Sequence, residues 1–116
     1  MTSRFWLDRL PSTDAAFASL QMAEFLAREE DWPILAQAHR QARSDAAWGH
    51  GLDVMEAREQ DLVDLAASLK ERDEDGSDKP AVHRAELEAL GYALGLTAVR
   101  VAIRAHDAET AKRVAA

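Results

Sequence analysis

Four stretches of the chain repeat apolar residues at three- and four-residue spacing, and each is bounded by proline, glycine or a run of charge. After Pro11, Ser12 or Thr13 can cap a helix, with Asp14 favourable in its first turn. Its apolar stripe is Ala15, Ala18, Met22, Phe25 and Leu26, widened by Phe17 and Leu20. Glu29-Glu30-Asp31 interrupts this pattern. Asp31 is then positioned to cap a second helix with Trp32 and Pro33 in its first turn, where proline's missing donor costs little. Ile34, Leu35, Ala38 and Ala42 form its stripe, and Gly49-His50-Gly51 ends or bends it.

A third helix is predicted over 52–72, from the helical recurrence of Leu52, Met55, Leu62, Ala66 and Leu69. The charged run up to Lys79 is the clearest loop, and Pro80 starts a fourth helix. The fourth stripe is Leu87, Leu90, Leu94, Ala98 and Val101, with Val82, Leu96 and Ile103 nearby. No segment alternates with the period of a strand. The pattern predicts one all-α domain over 1–116: a small bundle of about four principal helices, an N-terminal arm (1–11) and a charged interhelical loop (73–79).

Composition agrees. The chain has 24 Ala but only 5 Gly and 3 Pro, which favours helix. At 116 residues and 47% apolar, it fits one domain and is too apolar for a disordered chain. Without cysteine there is no disulfide, thiolate nucleophile or Cys-ligated metal. Phe5-Trp6-Leu7 is cut off by Asp8 and Arg9, so no secretory signal is predicted. Nor is there the run of about 18 apolar residues that a membrane span needs, and the expected location is cytoplasmic.

Charge is unevenly placed. Residues 45–79 hold eleven acids against four bases and so carry the whole net charge of −7. A solvated acidic face explains this. An acidic middle also repels phosphate, so no specific nucleic-acid complex is expected.

Candidate chemistry is sparse. A di-iron bundle needs a Glu three residues before a His on two helices, and none of His39, His50, His83 or His106 has one. There is no phosphate loop, nucleophile elbow or zinc-protease motif. No catalytic residue, metal ligand or cofactor is predicted, and the chain is read as a non-enzyme.

The segment 31–49 resembles the active-site helix of histidine phosphotransfer domains, which are helical bundles of about this length. Ala38-His39 matches their alanine–histidine pair and Trp48-Gly49 their hydrophobic–glycine pair, with small residues at Ser44 and Ala46. The resemblance implies phosphorylation of the His39 imidazole by a phosphoaspartate or phosphohistidine donor, with Arg40 or Arg43 supplying charge. The segment departs from the pattern at Gln41 for a leucine, Ala42 for a lysine and Arg43 for a glycine.

Residues 86–104 resemble a helix-turn-helix, with Gly95 at the turn, Thr97 capping a recognition helix and Arg100 and Arg104 facing phosphate or base edges. An uninterrupted core helix explains the same residues. Gly91 and Gly95, four apart, offer either a ridge for close helix packing or a local break.

The leading expectation is a small regulatory protein that acts by binding another protein. It is similar in size and character to small bacterial regulators, inhibitors or antiactivators that sequester a transcription regulator. Phe5, Trp6, Leu7, Arg9 and Leu10 are the predicted partner-binding residues, since an apolar cluster flanked by arginine precedes the first capped helix. Wide apolar helix faces also predict a homodimer.

Overall fold

A computed structural model describes Gln21 and residues 27–115. A 3₁₀ turn, Glu29–Asp31, leads into three α-helices: α1 (Trp32–Ala47), α2 (Leu52–Arg72) and α3 (Lys79–Ala115). No strand occurs among the described residues. Apart from the helical Gln21, the expected first helix and the N-terminal arm lie outside them, so three of about four expected helices are described. The boundaries of α1 and α2 fall where Trp32-Pro33, the glycine pair and the charged loop place them.

The ends of these helices have local causes. At the C-terminus of α1, the Gly49 amide donates to the Ala46 carbonyl at 3.1 Å and the His50 amide to the Asp45 carbonyl at 3.0 Å. This crossed pair requires a left-handed residue, which Gly49 supplies with φ 91°. In the charged loop, Asp73 Oδ1 accepts the Asp78 amide at 2.9 Å and Asp75 Oδ1 accepts the Ser77 amide at 3.0 Å. The carboxylates thus fold their own loop back to launch α3. Asp31 makes no capping bond to α1, contrary to expectation. Its carboxylate turns instead to Arg28 and His83.

The long helix α3 is the spine, with α1 and α2 laid on adjacent faces. Its contact with α1 is a seam of small residues. A Cβ built at Gly91 would stand 2.6 Å from the Leu35 carbonyl oxygen; one at Gly95 would stand 2.6 Å from the His39 carbonyl oxygen. The two glycines therefore let the backbones of α1 and α3 approach directly. This corrects the helix-turn-helix expectation, because α3 passes through Gly95 without a turn. A helical glycine costs only about 1 kcal/mol relative to alanine, less than the packing of its neighbours Leu96, Ala98 and Val99 can return.

Around this seam, Ala42, Ala46, Ala47, Met55, Tyr92, Leu96 and Val99 form the main core. Leu35 and Leu87 make a second cluster with Ala27, Trp32, Ile34 and Leu94 against it. The expected stripe of the last helix is only partly right. Leu87 and Ala98 are buried, whereas Leu90 and Val101 are exposed. The core-facing side of α3 is rotated toward the glycines, so two large residues of the stripe fall outside it.

Candidate functional site

Three residues, one from each helix, meet at Asp45. The Tyr92 hydroxyl donates to Asp45 Oδ2 at 2.7 Å, Arg58 Nη1 lies 2.7 Å from the same oxygen, and Gln41 Nε2 donates to Oδ1 at 2.9 Å. The Asp45 side chain is buried. Burial alone would raise its pKa. The hydrogen bonds from Arg58, Tyr92 and Gln41, with the Arg58 charge, outweigh that and hold it below the usual carboxylate range. Burial and the adjacent carboxylate push the Tyr92 phenol upward, and Asp45 does the same to the Arg58 guanidinium. A carboxylate saturated by three donors, beside a phenol that holds its proton, is a poor acid or base near neutrality. The cluster instead ties α2 to the α1–α3 seam. The sequence reading missed it because residues 45, 58 and 92 carry no spacing signal across two loops.

A second network joins the entrance of α1 to the start of α3. His83 Nε2 sits 3.0 Å from Asp31 Oδ1, and Arg28 Nε donates to Asp31 Oδ2 at 3.4 Å. Burial raises the Asp31 pKa, but the bond and charge of His83, then Arg28, bring it below the ordinary value. Beside this region an open groove of about 530 Å³ runs over Ile34, Gln37, Ala38, Arg84, Glu88 and Tyr92. No group of three or more possible metal-ligating side chains occurs among the described residues.

The His39 ring is 1% exposed and Arg43 is buried beside it, while Arg40 on the same helix is exposed. Burial first, and the Arg43 charge second, lower the imidazole to a pKa of about 4. A neutral imidazole is the nucleophilic form, but phosphotransfer requires the ring to reach a donor on another molecule. The seam that admits Gly95 against the His39 backbone encloses that position, so the exposure implied by the phosphotransfer resemblance is not met. Of the helix-turn-helix arginines, Arg100 pairs with Glu56 of α2, and Arg104 is exposed.

Phe5, Trp6, Leu7, Arg9 and Leu10 lie outside the described residues. Within them, exposed large apolar side chains include Val63 and Leu65 on α2, Val114 near the end of α3, and two further groups. Trp48 at the end of α1 is 69% exposed, and Leu52 and Val54 follow it across the Gly49–Gly51 connection, also exposed. Leu90 and Val101 are exposed along α3. Sequence reasoning used Trp48 as a helix-end motif residue and gave it no surface role; its position beside Gly49, where the helix stops, was the available signal. Among the described residues no helix is long and apolar enough to cross a membrane. No family model, curated protein or solved structure matches the chain.

Proposed function

We propose that this chain is a small, non-enzymatic regulatory protein of the cytoplasm that acts by binding another protein, in the manner of an inhibitor or antiactivator, and that it works as a homodimer. The supporting observation is Trp48. A tryptophan 69% exposed at a helix corner, with Leu52 and Val54 beyond it, is costly in water and has the chemistry of an interface anchor. The Gly49 turn and the Asp45 cluster fix the backbone on which it stands, so little ordering is required on binding.

The test is affinity capture from an extract of the native cell, followed by identification and re-binding of the captured protein in purified form. Trp48→Ala should weaken that complex tenfold or more while leaving helical content and melting unchanged. A purified complex indifferent to this change removes Trp48 from the interface. An extract that yields no protein able to re-bind counts against the regulatory reading itself.

A further inference from the structure

The outer face of α3 changes character along its length. Leu90 and Val101 are 46% and 45% exposed, with part-buried Leu94 and exposed Thr97 between them. Every residue from Arg104 to Ala115 is exposed, so none of the other described residues buries this end of the helix. Positions 90, 94, 97, 101, 104, 108, 111 and 115 are spaced alternately by four and three residues, the repeat of a coiled-coil seam. Their residues run Leu, Leu, Thr, Val, then Arg, Ala, Ala, Ala: large in the packed half, mostly small in the bare half.

We propose that this seam binds a second copy of the chain, antiparallel about a twofold axis near residue 103, so that the arm 104–115 of each copy covers the Leu90–Val101 stripe of the other. This gives a geometry to the homodimer in the reading above; the Trp48 surface does not depend on it. Length is the first argument. Arm and stripe each hold twelve residues, roughly 18 Å of helix. Side-chain size is the second. The register sets Leu90 against Ala115, Leu94 against Ala111 and Thr97 against Ala108, large or medium against small in three of its four layers, with Val101 against Arg104 in the fourth.

Charge selects the direction. A parallel, in-register pair would stack Arg104 on Arg104 in the seam, which buries two like charges. The antiparallel pair lays the aliphatic stem of Arg104 over Val101 and frees its guanidinium to the edge. It also brings Asp107 of one copy beside Arg100 of the other, next to the Arg100–Glu56 pair already present. A twofold contact presents the same patch from both sides, so one helix supplies both the groove and its filling.

The chain has no cysteine, so introduced cysteines report the pairing directly. An equimolar mixture of Thr97→Cys and Ala108→Cys chains should form disulfide-linked heterodimers under mild oxidation. Ala111→Cys alone should not link to itself, because its two copies would lie roughly 25 Å apart along the axis. Sedimentation of the unmodified protein should give twice 12.8 kDa at raised concentration. Leu90→Glu and Val101→Glu should each weaken the dimer tenfold or more with helical content retained. A monomer at every concentration overturns the proposal and assigns the stripe to the N-terminal segment or to another protein. Self-linking of Ala111→Cys with a silent mixture overturns it in favour of a parallel pair. Should the glutamate variants fail to fold, the cysteine pattern still decides. A monomer that retains Trp48-dependent capture sinks the dimer alone.

Discussion

Residues 79–102 and 104–115 belong to one helix, yet different forces hold them. In the first stretch, Gly91 and Gly95 sit against the backbone of α1, Leu96 and Val99 are fully enclosed, and Tyr92 closes the Asp45 cluster. In the second, every side chain is exposed, and local contacts occur: Thr110 Oγ1 donates to the His106 carbonyl at 3.0 Å, and Arg113 lies 3.9 Å from Glu109 one turn back. Tertiary packing makes the first stretch helical despite two glycines. Alanine content and i,i+4 pairs support the second without it. Helix continuity therefore does not mean uniform stability, and the junction near residue 103 separates a cooperative half from a locally held one.

The widest separation between the halves should come from Gly95. A Cβ there would meet the His39 carbonyl oxygen at 2.6 Å and the Ala42 Cβ at 2.8 Å, and neither is the movable end of a flexible side chain. Gly95→Val forces α1 and α3 apart and with them the core around Leu96. Its expected cost is about 3 kcal/mol or more, at the upper end of overpacking effects. Denaturant unfolding followed by circular dichroism measures it. A loss under about 1 kcal/mol would mean that the seam is looser than its geometry.

The second effect is a titration confined to the packed half. Burial in the seam, with the Arg43 charge beside it, lowers the His39 imidazole to about 4 from its ordinary 6.5. Between these values the unfolded chain binds a proton that the fold refuses, so stability rises with pH across the window. The contribution is complete above about 6.5 and is lost on acidification toward 4, amounting to roughly 3 kcal/mol. Asp45 acts in a lower range. Its depressed pKa adds stability that is present above 3.8 and is lost as pH falls through the folded value. Unfolding free energies from pH 7 to 4 should fall for the natural chain, and His39→Leu should flatten most of that slope. An unchanged slope would mean that His39 is not held neutral by the seam.

What the sequence revealed and what it hid follow the same physical division. Trp32-Pro33, Gly49 and the acids of 73–78 act on their own neighbours, and the ends of α1 and α2 were legible from them. Gly91 and Gly95 were legible as a close-approach ridge but equally as a break. Only the presence of Leu35, Ala38, His39 and Ala42 opposite them decides between the two. That information lies about fifty residues away. The same distance hid the Asp45–Tyr92 bond, and it let His39 be matched to a phosphorylatable imidazole when the helix face that carries it meets α3. Leu90 and Val101 were assigned to the core because periodicity identifies an apolar face without saying what covers it.

The smallest effect tests the exposed half. Ala108 lies in the arm and is exposed. Ala108→Gly lowers helix propensity by about 1 kcal/mol. If the arm is held only locally, that cost frays residues 104–115 without touching the bundle. Measured in dilute protein, where association is absent, the unfolding free energy should then change by less than about 0.5 kcal/mol, while hydrogen exchange in the arm accelerates several-fold. The same substitution placed at Ala98, which is 1% exposed in the main core, should cost its full propensity term and more, because a methyl group also leaves the core. Equal losses at 98 and 108 would show that α3 unfolds as one unit, and the junction near residue 103 would then have no energetic meaning.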